Sequence, residues 1–278
     1  ESIGGQVLLT SDIENYMGYH FITGRELIEK FQTQVEQFPI DIAMYDGAAK
    51  IMRDSEAITI ATKNGRRYSA DTVILATGKR SRPLGVPGEK DFVGRGVTYC
   101  SICDGPFFKG LDVAIIGGGN SGITSVVDMI KIANRIYSID IANDLRADPV
   151  LVERAKASNK VEFLLGYKTK EIRGSNVVES IILENCATGE LVEKAVGGVF
   201  IEIGLIPNSD LVEGFVELNR WKEIVIDSAC RTSAEGVFAA GDVTDVPEKQ
   251  IIVAAGEGAK ASLSAYHYLI RKKGKDSK

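Results

Sequence analysis

Histidine is nearly missing from this 278-residue sequence: it occurs twice, at His20 and His267, far apart and without ligand-like neighbours. Metal-hydrolase chemistry and histidine-assisted nucleophiles, which need such side chains in clusters, are disfavoured from the outset. Cysteine is sparse as well. Its four copies (Cys100, Cys103, Cys186 and Cys230) are too few in a chain of this length for a disulfide scaffold. No apolar run reaches the roughly 18 residues that a membrane span requires, and no charged-then-apolar signal pattern opens the chain. Basic excess is absent too: 33 Lys and Arg stand against 38 Asp and Glu, a formal charge of −5. That balance argues against nucleic acid as the main partner. These absences point to a soluble cytoplasmic protein, a setting in which a persistent disulfide is usually catalytic rather than structural. The opening residues Glu1 to Gln6 lack an initiator methionine and read like the middle of a longer chain.

What is present is ordinary globular material, 44% hydrophobic and 26% charged, with length for two domains. Thr23-Gly24-Arg25-Glu26 has the capping-box pattern, and Leu27, Ile28, Phe31, Val35 and Phe38 follow at near-helical spacing until Pro39. Residues 58–76 read as β-structure around a turn at Asn64-Gly65. The Pro-, Gly- and charge-rich stretch 79–88 reads as a linker. Beyond it, strand patterns at 113–116, 136–139, 161–165, 177–183 and 199–203 accompany a helical run from Thr124 to Ala133, which predicts an α/β fold with a parallel sheet. A second boundary falls near Pro207-Asn208. A strand at 237–240, an apolar helix from about 251 to 270 and a solvated basic tail, Arg271 to Lys275, complete the expectation.

Three short motifs carry chemistry. Gly117-Gly118-Gly119-Asn120-Ser121-Gly122 is a G-x-G-x-x-G between a strand and a helix. Gly117 permits the tight turn, Gly119 the close approach of a pyrophosphate, and Gly122 close helix–strand packing, while the helix N-terminus attracts the diphosphate. The bland alternative is a glycine turn without a ligand. Asp140 ends the next strand, where an acidic residue accepts hydrogen bonds from the ribose hydroxyls of NAD and repels a 2′-phosphate. NADH is favoured over NADPH on that basis, although Arg146 is near enough in sequence to serve a phosphate, and Asp140 can also simply end a strand. Cys100-Ser101-Ile102-Cys103 has the spacing of a redox dithiol. A zinc half-site shares it but needs two further ligands. Asp104 follows and is suited to acid–base work as thiolate and thiol interconvert.

Together these motifs resemble the low-molecular-weight thioredoxin reductase family, and within it the flavoprotein subunit of alkyl hydroperoxide reductase. The resemblance runs through Gly4-Gly5-Gln6, Asp12 to Tyr16, Ala76-Thr77-Gly78, Gly96 to Cys100, Cys103-Asp104-Gly105, the 117–122 glycines, Ile203 to Asn208, Phe238 to Val243, and Lys249 to Gly258. It implies two Rossmann-like nucleotide-binding domains, the NAD domain (84–208) inserted into an FAD domain (1–83 and 209–278). It implies FAD held by Gly5, Gln6, Asn15, Thr77, Gly241 and Asp242, with Gln250 and Ile251 near the flavin's pyrimidine edge. Cys103 would face the flavin, Cys100 would attack the partner's disulfide, and Asp104 would donate a proton. A rotation of one domain against the other, hinged near residues 83 and 208, would alternate the half-reactions, and a homodimer is implied as well. The sequence departs from the family in two ways. Asp140-Ile141-Ala142 stands where NADPH-using members carry arginines, and the family's amino-terminal G-x-G-x-x-G, about thirty residues before the Gly-Gly-Gln, is absent. The second departure leads to the expectation that these 278 residues alone lack a flavin anchor and aggregate.

Two enzyme readings follow: electrons pass from NADH or NADPH to a thioredoxin-like or glutaredoxin-like protein, or onward to a peroxiredoxin. A non-catalytic nucleotide-binding module is the reading from another class. Arg95, Phe107 and Phe108 are candidate docking residues beside the dithiol, with loop packing as their alternative role.

Overall fold

A computed structural model describes residues 3–10, 13–54 and 57–276, without the side chains of Leu9, Lys275 and Asp276. Asp12, part of the resemblance at 12–16, lies outside the described residues. The chain divides into two compact units, 1–80 with 206–278, and 81–205. The second is thus inserted into the first, with changeovers slightly earlier than those read from the linker composition.

The outer unit begins with helix α1 (Gly24–Val35). Its capping box forms: the Thr23 hydroxyl accepts from the Glu26 N–H and the Glu26 carboxylate accepts from the Thr23 N–H. The helix stops at Val35, before Pro39, with Leu27 and Ile28 as its buried apolar residues. Strands β1 (Ala48–Asp54), β2 (Ala57–Thr62) and β3 (Arg67–Ala70) form an antiparallel sheet, the last two joined through Asn64-Gly65 with Gly65 at φ 81°. Next come β4 (Val73–Leu75) and β5 (Lys79–Ser81).

The inserted unit runs β6 (Val97–Thr98), α2 (Ser101–Asp104), β7 (Asp112–Ile116), α3 (Asn120–Met129), β8 (Arg135–Asp140), α4 (Pro149–Lys156), β9 (Val161–Leu165), β10 (Tyr167–Gly174), β11 (Val178–Asn185), β12 (Leu191–Ala195) and β13 (Gly198–Ile201), and leaves through β14 (Leu205–Pro207). Its centre is a five-stranded parallel sheet in the order β6-β13-β7-β8-β9. Buried Ile123, Val126 and Met129 of α3 and Ala155 of α4 cover one face against Val113, Ile115, Ile136 and Phe200. The segment 177–183, expected in the parallel sheet, is instead part of β11, the middle strand of an antiparallel β10-β11-β12 sheet. Ile181 and Leu183 of β11 and Ile172 of β10 cover the other face, packed on Ile116, Ile139, Val199 and Ile201. An apolar run looks the same in either kind of sheet, and its partner strands β10 and β12 carry too many charges to stand out in the sequence.

Back in the outer unit, β15 (Val237–Ala239) pairs with β4 in parallel. Val73, Leu75, Val237 and Ala239 face Ile51 and Ile58 of the β1–β3 sheet. On the opposite face Phe238 and Ala240 meet Ala261 and Ala265 of helix α5 (Ile251–Asp276). The basic stretch 271–275 is the continuation of this helix rather than a tail. Lysine and arginine are good helix formers, and the Lys272 ammonium meets Asp71 at 2.8 Å. No helix among the described residues is long and apolar enough to cross a membrane.

Candidate functional site: a disulfide beside a glycine-rich turn

Cys100 and Cys103 are joined by a disulfide, with their Cα atoms 5.5 Å apart. Cys100 is the N-cap of α2 and its sulfur accepts the Cys103 N–H at 3.1 Å. The strand before it is fixed by side chains: Thr98 Oγ1 accepts the Cys100 N–H at 3.1 Å and donates to the Asp104 carboxylate. The Tyr99 hydroxyl donates to buried Glu89 at 2.6 Å, and the same carboxylate accepts the N–H groups of Leu84 and Gly85 at 2.8 and 2.6 Å. Burial, then this hydrogen bond to a carboxylate, drives the Tyr99 phenol far above its usual pKa, so Tyr99 stays protonated and keeps its proton to donate. Cys186 is exposed and Cys230 buried, each a free thiol.

The glycine-rich turn lies between β7 and α3. Three glycines meet three different surroundings there. A Cβ on Gly117 (φ 131°) would stand 2.2 Å from the Glu202 carbonyl oxygen, and one on Gly122 would stand 1.9 Å from the Gly117 carbonyl oxygen. Gly119, the N-cap of α3, has nothing within 4 Å on that side. The turn is therefore tight toward the protein and open outward, the shape a pyrophosphate needs above free helix N–H groups. Asn120 Oδ1 accepts the Asp148 N–H at 2.7 Å, and Ser121 Oγ donates to Glu202.

Asp140, 6% exposed, closes the turn from the end of β8. Its carboxylate accepts the Gly118 N–H on one oxygen and the Ala142 N–H, at 2.7 Å, on the other. Arg146, mostly exposed, reaches that second oxygen at 3.6 Å. The guanidinium thus serves the carboxylate, while the oxygen that accepts the Gly118 N–H keeps its second lone pair.

The remaining candidates belong to the outer unit. Thr77 and Asp242 lie just beyond the C-terminal ends of the parallel neighbours β4 and β15, the end at which α/β sheets receive ligands. The Thr77 hydroxyl donates to the Asn208 carbonyl at 2.7 Å, and the Asn208 amide returns a bond to the Thr77 carbonyl at 2.8 Å. Gly241 adopts φ 75°, and its N–H donates to buried Glu257 at 2.9 Å. Gln6 donates to the Lys79 carbonyl at 2.6 Å, next to Gly5 at φ 53°. Asn15 donates to the Gln250 side chain at 3.0 Å, and Ile251 packs near Ile13, Ile22 and Leu27. Lys249, beside Gln250, is held by Glu223 at 3.2 Å, as is Lys79 at 2.9 Å. Thr98, Glu89, Glu202, Glu223 and Glu257 do not stand out in the sequence, because a charged or polar residue beside a motif looks like any solvated one until its burial is known.

A parallel sheet with a glycine-rich turn, and a disulfide two elements away in the same unit, are the features of a nucleotide-disulfide oxidoreductase class of protein. The chain belongs to the pyridine nucleotide-disulphide oxidoreductase family, whose pattern matches residues 2–258. It is 41% identical over 277 residues to the F component of Escherichia coli alkyl hydroperoxide reductase, covering 98% of this chain and 53% of that protein. It is 42% identical over 271 residues to a Bacillus subtilis protein named NADH dehydrogenase, again 98% of this chain and 53% of the other. Among solved structures, Lactococcus lactis thioredoxin reductase matches with a TM-score of 0.83 at 33% identity, over 97% of this chain and 89% of that one. Thioredoxin reductase of T. acidophilum matches with a TM-score of 0.79 at 34% identity, over 96% and 88%. The chain spans about half the length of the curated relatives it matches.

Proposed function

We propose that the chain takes electrons from NADH and delivers them, by way of FAD and the Cys100–Cys103 disulfide, to a thioredoxin-like or glutaredoxin-like protein. The observation that carries this reading is the disulfide capping α2 in the same unit as an outwardly open glycine turn. When bound, the nicotinamide would supply hydride chemistry and FAD a two-electron carrier. Gly117, Gly119, Asn120, Ser121 and Gly122 hold the dinucleotide's diphosphate and Asp140 its adenine ribose. Gly5, Gln6, Asn15, Thr77, Gly241, Asp242, Gln250 and Ile251 hold FAD, a fit supported by the open ends of β4 and β15.

Once reduced, Cys100 attacks the partner's disulfide and forms a mixed disulfide, releasing one partner thiolate. Cys103 then attacks the Cys100 sulfur, which restores the internal disulfide and frees the second partner thiol. Asp104, oriented by Thr98, hands a proton to the leaving sulfur. The sum is NADH, a proton and a partner disulfide converted to NAD⁺ and a partner dithiol. Asp140, and the name of the Bacillus subtilis relative, support NADH over NADPH. A peroxiredoxin reached through the carrier protein is the second reading, favoured by the likeness to a component of alkyl hydroperoxide reductase.

Anaerobic titration of the flavin-loaded protein tests the proposal. NADH should bleach the flavin absorbance and generate two thiols that a disulfide reagent can count. Bleaching without new thiols, or no response to NADH, overturns it.

A further inference from the structure

Glu202 belongs to none of the motifs above. It follows β13, the strand beside β7, and its carboxylate lies under the first turn of α3. One oxygen accepts the Ser121 hydroxyl and the other the Ser125 hydroxyl at 2.9 Å. The Ser125 oxygen is also 2.9 Å from the Ser101 hydroxyl. Ser101 and Ser125 are 6% and 3% exposed. A hydroxyl has one proton to give, so with Ser125 donating to Glu202, Ser101 is the donor to Ser125. One hydrogen-bonded row therefore runs Ser101, Ser125, Glu202, Ser121, from the first of the two residues between the cysteines to the glycine-rich turn. Burial pushes the Glu202 carboxyl above its usual range. The Ser121 and Ser125 bonds pull against that shift and nearby Asp128 adds to it.

We propose that Glu202 is a positioning residue that couples the redox state of Cys100 and Cys103 to dinucleotide affinity at the glycine-rich turn. Cys100 is the cap of α2 and Ser101 its first residue. Opening the disulfide takes two electrons and two protons and leaves two thiols, so the sulfur that receives the Cys103 N–H changes its bonding and Ser101 shifts with the cap. Ser101 and Ser125 are buried, with no water between them to absorb such a shift, so the Ser125 hydroxyl must follow and draws the half-buried Glu202 carboxylate with it. At its far end Ser121 belongs to the turn itself. Coupling is reciprocal: whatever the dithiol does to nucleotide affinity, the nucleotide does to the dithiol equilibrium. The inference rests on the dinucleotide reading of the turn.

Calorimetric titration of the full chain with NAD⁺ tests it, once with the disulfide intact and once in excess dithiothreitol. The wild-type Kd should differ between the two states by about fivefold or more, the lower end of usual coupling. Glu202→Ala and Ser125→Ala should each bring the ratio below about twofold, and Ser125→Thr, which keeps the hydroxyl, should restore it. Ser125→Ala keeps the test open if Glu202→Ala does not fold. Equal wild-type affinities, or an undiminished ratio in Ser125→Ala, overturn the coupling alone. NAD⁺ that binds in neither state overturns the dinucleotide reading and the coupling with it.

Discussion

Asp140 and a 2′-phosphate would bring two negative charges together in a place where the carboxylate already has buried N–H partners and cannot turn away. Asp140→Arg should therefore shift the ratio of kcat/KM values toward NADPH by roughly ten- to a hundredfold, measured as initial rates of flavin reduction with each nucleotide. An unchanged ratio would remove Asp140 from the ribose site. The four cysteines divide in the same residue-by-residue way. Cys103→Ser should accumulate a covalent adduct with an oxidised thioredoxin-like partner, visible on a non-reducing gel, because no second sulfur resolves it; Cys100→Ser should form none. Cys186→Ser should be silent. Sequence isolation alone puts Cys230 in the same silent class, but its thiol is fully buried among Phe238, Ala261 and Ala265 and donates to the Glu257 carbonyl at 3.6 Å. Burial raises its pKa, with Lys260 opposing, so Cys230 is inert toward disulfides and its substitution is a matter of stability.

At the scale of elements, the glycines of the β7–α3 connection separate binding from folding. Gly122→Ala must push α3 off the Gly117 carbonyl and should lower the unfolding temperature markedly. Gly119→Ala meets open space at a φ of −89° and should cost about 1 kcal/mol or less, the difference between glycine and alanine as an N-cap. It should nevertheless weaken NAD⁺ binding, because the methyl group enters the open side; calorimetry and thermal melts together check both outcomes. The anchor of the 249–251 segment is electrostatic. Burial opposes ionisation of Glu223, but hydrogen bonds from Lys79, Asn219 and Lys249 prevail and hold its pKa at about 2. The unfolded value is about 4.3, so this stabilisation is complete above that pH and is lost as pH falls toward about 2. Urea midpoints of wild type and Glu223→Gln should differ at pH 6 and converge on acidification through that window. Element by element, the sequence is readable where a local rule governs. The capping box, the Asn-Gly turn, the C-x-x-C and the glycine fingerprint each state their geometry in a few adjacent letters. Features made by distant partners are not legible in that way: the β10–β12 sheet, whose edge strands are crowded with charged residues, the buried carboxylates Glu89 and Glu257, and the half-buried Glu202.

On the scale of the whole molecule, the proposed exchange requires that a partner protein reach Cys100. Of the candidate docking residues, Phe107 is 80% exposed, whereas Phe108 is 8% exposed with its ring 4.9 Å from that of Phe200, and Arg95 is bound to the Asp91 carbonyl. Phe107→Ala should raise KM for a thioredoxin-like protein and leave reduction of a small disulfide reagent unchanged. Phe108→Ala should instead destabilise the inserted unit by about 3–5 kcal/mol. Equal loss on both substrates in Phe107→Ala would count against docking. The two-unit plan itself has a geometric signature at its crossings. In the inserted unit the Arg82 N–H donates to the Gly204 carbonyl at 2.9 Å, and in the outer unit the Asn208 N–H donates to the Gly78 carbonyl at 2.9 Å. Each unit thus brings its own chain ends within one backbone hydrogen bond of each other, and little loop-closure entropy separates the interrupted outer unit from an uninterrupted one. A gene encoding the outer half could have received or exchanged its interior as one cassette without either half having to invent a new edge. The seam, not the sheets, is where such a lineage would be free to recombine.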